Sequence, residues 1–170
     1  TALELARRGG RVIMACRSPE KTLPVIEEIK NTTGNSQVVF MRLDLASLQS
    51  VAECAKAVLE NEEKIDVLIN NAGLAGPRGL TKEGFELTFG VNHLGHFLFT
   101  KLLLPRIQES KEARIVTVSS RSHYDAKGID FAVLREHTKS ITGLKEYEVS
   151  KLCNVLFSAE LARRTNETAI

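Results

Sequence analysis

"DVLINNAG", residues 66 to 73, passes from a short apolar run straight into two asparagines, an alanine and a glycine. Such a run, ending abruptly in polar and small residues, reads as a buried strand whose carboxyl end meets a loop. The same figure recurs along the chain: "RVIMAC" ends at Arg17, "VVFMRL" at Asp44, and "RIVTV" at Ser119 and Ser120. Helical patterns near 19–31, 47–61 and roughly 82–109 separate these runs, and that alternation is the signature of parallel strands joined by crossover helices. The expected fold is α/β. In open parallel sheets, ligands bind outside the carboxyl ends of the strands, so the four strand ends together mark one candidate site.

The flanks fit this frame. Residues 1 to 8 read as the end of a helix stopped by Gly9 and Gly10, residues 121 to 145 as irregular, and a last helix carries "EYEVSKLCNV" at 146 to 155. With 170 residues, 43% hydrophobic and 26% charged, the chain is expected to form one globular domain. Its net charge of +2 is spread among acids without a basic stripe, which argues against a nucleic-acid partner. Cys16, Cys54 and Cys153 lack metal or redox spacing and read as small core residues in a reduced compartment. No apolar window is long enough to span a bilayer, and "TALELARRGG" resembles neither a signal nor a transit peptide. The start at Thr1 suggests processing or a piece of a longer protein. Asn31 and Asn166 open N-x-Ser/Thr patterns of the kind that arise by chance.

Tyr147 and Lys151 lie four residues apart, hence one turn apart on one helix face. A phenol titrates near pH ~10 in water, and a neighbouring ammonium favours its ionised form. The pair could therefore exchange a proton with a substrate oxygen that a serine hydroxyl orients, without a metal. The bland alternative is a packed aromatic beside a solvated lysine. Tyr124 has Gly128 at its i+4 position, so only Tyr147 can form such a pair.

Phe85, Phe89, Asn92, His96, Phe99 and Leu103 recur at spacings of three and four and are expected to share one buried stripe of the long helix. Burying an amide without partners costs roughly 1–3 kcal/mol, so Asn92 is expected to be tied either to backbone or into a water bridge leading to Lys151. His93 and His96 have the spacing of a metal pair but no third ligand, and His96 reads as a satisfied core histidine.

Taken together, "NNAG" (70–73), "VNHLGHF" (91–97), "VSS" (118–120) and "YEVSK" (147–151) resemble the short-chain dehydrogenase/reductase family. "ACRS", "LDLASL" and "SKLCNVLFSAELARR" are similar to its retinol dehydrogenase branch. The resemblance implies a Rossmann-type doubly wound parallel sheet, here lacking its first strand, its glycine-rich phosphate turn and its last strands. The missing first strand would be central, between the strands that end at Arg17 and Asn70, which predicts unpaired strand edges.

The resemblance also implies roles. Tyr147 would be the acid/base, Lys151 would assist it and hold the nicotinamide ribose, Ser120 would position the substrate oxygen, and Asn92 would anchor a relay water. Asp44 and Leu45 would line the adenine pocket, and Asn71, Ala72 and Gly73 would pack beside the adenosine half. Arg17, with no acid at its turn, suits the 2′-phosphate of NADP(H). The expected substrate is a small lipophilic carbonyl or alcohol such as a retinoid, with residues 121 to 145 forming part of its wall. Membrane association, on the cytosolic side, would come through an anchor upstream of Thr1. Two other readings are a non-catalytic remnant that binds cofactor or partner, and an extended-type epimerase, against which the "NNAG" element speaks.

Overall fold

Two parallel strand pairs carry the architecture. In the computed structural model, which describes residues 1 to 165, β1 (Val12–Cys16) pairs with β2 (Val38–Arg42), from Val12 opposite Val38 to Cys16 opposite Arg42. β3 (Val67–Asn70) pairs in the same sense with β4 (Arg114–Thr117), from Val67 opposite Arg114 to Asn70 opposite Thr117. All four strands coincide with the apolar runs read from the sequence, and each ladder holds two strands of the doubly wound order. The chain divides into two compact units, Thr1–Asp44 and the part from Leu45 onward. Asn166 lies outside the described residues.

In the first unit, α1 (Ala2–Arg7) ends as expected: Gly9 takes φ +82°, and the Gly9 and Gly10 N–H groups donate to Ala6 and Leu5 carbonyls at 3.0 Å. α2 (Pro19–Thr33) starts where Ser18 Oγ accepts the Lys21 N–H and a proline occupies the first turn. Ala6, Ile26, Ile29 and Val38 form the core. β1 is only half-buried along its whole length, as expected of a strand paired on one side.

In the second unit, Ser47 caps α3 (Leu48–Asn61), whose Val51, Cys54, Ala55 and Val58 are buried. It packs against α5 (Gly95–Gln108), which buries Phe99, Leu103 and Ile107. The long helix begins later than its periodicity suggests. The Thr81 N–H donates to the Phe85 carbonyl at 2.7 Å and the Thr81 hydroxyl accepts the Phe85 N–H at 3.1 Å while Gly84 takes φ +78°, and this tight turn delays the helix to α4 (Leu87–Phe89), capped by the Glu86 side chain. Phe85 therefore lies outside the helix, half-buried, whereas Phe89, Asn92, His96, Phe99 and Leu103 are buried as expected. Between α4 and α5, residues Gly90–Leu94 form a π turn, a wider helical step that favours functional sites.

Two 3₁₀ turns, Arg121–Tyr124 and Phe131–Arg135, punctuate the segment expected to be irregular, and α6 (Leu144–Thr165) follows. Cys54 and Cys153 are buried, and burial pushes both thiols up to about 11. Among the described residues no helix is long and apolar enough to cross a membrane.

Candidate functional site

The carboxyl ends of β3 and β4, the π turn and the first half of α6 converge in the second unit. Lys151 is 4% exposed, and its ammonium donates to the Val118 carbonyl at 3.0 Å. Its Nζ lies 5.5 Å from the centre of the half-buried Tyr147 ring, so the one-turn spacing does bring the pair together. Burial pulls the Lys151 pKa below its ordinary value, because removal from water disfavours the ammonium.

Asn92 is fully buried and tied to backbone. Its Oδ1 accepts the Leu74 N–H at 2.8 Å, and its Nδ2 donates to the Leu74 carbonyl at 2.9 Å and to Ser150 Oγ at 3.1 Å. The π turn thus clamps the loop that leaves β3. Gly73, one residue earlier, fits because it has no side chain: a Cβ there would stand 3.1 Å from Asn92 Oδ1 and 3.8 Å from Lys151 Nζ. Asn71, Ala72 and Gly73 are exposed, leaving a strip of small residues and bare backbone beside the buried ammonium. Leu45 is buried, with its carbonyl and side chain against Gly95.

Asn154, which sequence reasoning missed, knits these parts together. Its Nδ2 donates to the Asn92 carbonyl at 3.1 Å and to the Val118 carbonyl at 3.2 Å, and its Oδ1 meets His93 Nδ1 at 3.0 Å. Asn154 follows Lys151 by three residues, so helical spacing alone puts it on the motif's face. Ser119, just past the end of β4, also enters the network: its hydroxyl donates to the Lys151 carbonyl at 2.8 Å. His96 Nε2 donates to the Ala72 carbonyl at 2.8 Å, the arrangement expected of a satisfied core histidine. Burial lowers the pKa of both His93 and His96.

Ser120 and Tyr147 stand at the edge of this network. Ser120 Oγ accepts the Ser122 N–H and bonds the Ser122 hydroxyl, both at 3.2 Å, so its hydroxyl is engaged locally. A cleft of about 210 Å³ opens elsewhere, lined by Phe89, Val133, Leu134, Val149 and the carboxylates of Glu86 and Glu146. Glu146 and Val149 lie about 100° and 160° around α6 from Tyr147, which does not line this cleft.

In the first unit, Arg17 follows β1 directly, is exposed, and makes no hydrogen bond or ion pair among the described residues. Asp44 follows β2 and is half-buried. Lys151 Nζ keeps donors to spare beside the small-residue loop of the second unit, and in the first unit the Arg17 guanidinium at the strand end is unengaged among the described residues; each is a donor suited to a hydroxyl or phosphate oxygen.

Comparison with known proteins gives the family. The family model for short chain dehydrogenases matches residues 1–129. The chain is 47% identical over 171 residues to retinol dehydrogenase 13 of Homo sapiens, covering all of this chain and 51% of that protein. It is also 47% identical over 174 residues to dehydrogenase/reductase SDR family member 13 of Bos taurus, covering 45% of that protein. The crystal structure of an uncharacterized protein from Mycobacterium paratuberculosis superimposes with a TM-score of 0.80 at 43% identity, covering 98% of this chain and 57% of that one. The chain therefore spans about half the length of the curated relatives it matches.

Proposed function

This chain belongs to the short-chain dehydrogenase family, and from that premise we propose that the protein is an oxidoreductase using NADP(H) on a lipophilic carbonyl or alcohol of the retinoid kind. The observation that carries the proposal is the buried Lys151 ammonium facing the Tyr147 ring one turn away, beside the Gly73 cradle. A buried cation next to an ionisable phenol beside a loop of small residues is an arrangement expected of acid/base chemistry.

The nicotinamide, when bound, supplies or accepts the hydride. In the reducing direction the Tyr147 hydroxyl gives its proton to the carbonyl oxygen as that oxygen gains electron density, and in the oxidising direction it takes the proton back. Lys151 compensates the negative charge left on the phenol oxygen and would hold the nicotinamide ribose. The Ser120 hydroxyl leaves Ser122 to donate to the substrate oxygen. Asn92 keeps its amide on Leu74, and its backbone carbonyl, which accepts one bond from Asn154, has a second lone pair that would anchor a water serving Lys151. Asn71, Ala72 and Gly73 would pack beside the adenosine half, Asp44 and Leu45 would line the adenine pocket, and Arg17 would meet the 2′-phosphate, where a planar guanidinium can form paired hydrogen bonds. Residues 1 to 170 are on this reading part of one cofactor-binding domain. The names of the retinol dehydrogenase relatives support the substrate class.

Titration of the full-length protein with NADPH and NADH, followed by assays with retinal and a short aliphatic aldehyde, tests this reading. NADPH should bind more tightly and support reduction of retinal. Binding of neither nucleotide would overturn it.

A further inference from the structure

Glu86 and Glu146 stand at the amino-terminal ends of the two helical elements that carry Asn92 and Tyr147, and one short segment joins them. Glu86 is 3% exposed, and its Oε2 accepts the Phe89 N–H at 2.8 Å, capping the helix that leads into the π turn. Its other oxygen accepts the Thr138 hydroxyl at 2.5 Å. The next two residues turn to the other helix: the Lys139 and Ser140 N–H groups each donate to Glu146 Oε1 at 2.9 Å, and the Ser140 hydroxyl donates to Glu146 Oε2. Every one of these bonds has a carboxylate as acceptor, the stronger class of hydrogen bond.

The segment is anchored along its length. Thr138 is 2% exposed, its hydroxyl accepts the Gly79 N–H at 3.4 Å, and its carbonyl accepts the Arg78 guanidinium at 2.8 Å. Upstream, the Leu134 carbonyl accepts the Glu86 N–H at 2.9 Å, and the Arg135 guanidinium covers the Phe85 ring at 4.1 Å. Downstream, Gly143 meets the backbone of Gly76 so closely that a Cβ on Gly143 would lie 3.1 Å from the Gly76 Cα.

We propose that Thr138–Ser140 is a strap that fixes the placement of the Tyr147 helix relative to the Asn92 helix, and that Glu86, Thr138 and Glu146 are positioning residues for the reaction. None of the three reaches the phenol or the Lys151 ammonium; they act through the two helix starts they tie together. The geometry explains why a long segment between Ser120 and Tyr147 can be accommodated without loosening the site, because its last part is the bridge. The catalytic consequence rests on the hydride-transfer reading above, and angstrom-scale misplacement of reacting groups costs rate steeply.

Thr138→Val and Thr138→Ser in the full-length protein separate the possibilities. Val removes the hydroxyl at nearly constant volume; Ser keeps it. With retinal and saturating NADPH, kcat of Thr138→Val should fall roughly tenfold while the KM for NADPH stays within about twofold, and Thr138→Ser should stay near wild type. Exchange of the Tyr147 amide, which donates to the Gly143 carbonyl on the far side of the strap from Glu86, should quicken in Thr138→Val and not in Thr138→Ser. An unchanged kcat in an active Thr138→Val enzyme, equal impairment of both variants, or unchanged Tyr147 exchange would overturn the strap. If wild type turns over no carbonyl or alcohol, the hydride-transfer reading fails, and the exchange result alone decides whether the bridge exists.

Discussion

Asn92 grips the backbone of Leu74 at both ends of its amide, accepting the N–H at 2.8 Å and donating to the carbonyl at 2.9 Å. The side chain is wholly buried, so these bonds have no water to replace them. Asn92→Leu should therefore lower stability by about 1–3 kcal/mol, read as a shift in the urea midpoint, because it strands polar groups that Asn92 had paired. A variant as stable as wild type would show that the Leu74 clamp contributes nothing.

Gly73 is the thinnest part of the proposed cradle. Gly73→Ala pushes a methyl group toward Asn92 Oδ1, 3.1 Å from the ideal Cβ position, and toward the Lys151 ammonium. Turnover should drop roughly tenfold with little change in melting temperature, because the strip is exposed while the atoms beside it carry the proposed chemistry. Steady-state kinetics alongside a thermal melt check this.

Arg17 tests the cofactor preference. Arg17→Asp replaces a guanidinium with a carboxylate that repels a 2′-phosphate and can accept hydrogen bonds from ribose hydroxyls. The ratio of kcat/KM for NADPH over NADH should fall at least about tenfold, the equivalent of about 1.4 kcal/mol. An unchanged ratio would remove Arg17 from the nucleotide site.

His93 and His96 make stability depend on pH with a definite sign. Burial holds the folded-state pKa of both below the ordinary 6.5. Above 6.5 both states carry neutral imidazoles and their contribution to stability is fully present. As pH falls below 6.5 the unfolded chain takes up protons that the folded chain resists, so stability declines until the lowered folded values are reached, by up to about 1.4 kcal/mol per pH unit for each histidine. Urea midpoints measured from pH 7.5 down to 5.5 should fall, and His96→Gln should flatten the slope.

Much of the fold is legible in the sequence. The four strands announce themselves because short β-rich runs stop at polar or small residues, and the Tyr147 and Lys151 pairing follows from helical spacing alone. The π turn around Asn92 was not legible, since apolar spacings of three and four fit a π step as well as an α-helix. The late start at Leu87 depends on the Thr81 to Phe85 turn, and that in turn depends on Gly84 adopting a left-handed conformation within a sequence of fair helix formers. Asn154 was within reach at Lys151 plus three. The carboxylate strap was not, because its partners Glu86 and Thr138 are 52 residues apart and nothing local links them.

The measurement that bears most directly on the account is the turnover of retinal with NADPH by the full-length protein and its Tyr147→Phe variant, with NADPH affinity measured on both. The account predicts that the variant binds NADPH within about twofold of wild type while kcat falls by about 100-fold or more, the loss expected when a general acid/base is removed. A variant that reduces retinal as fast as wild type would contradict it.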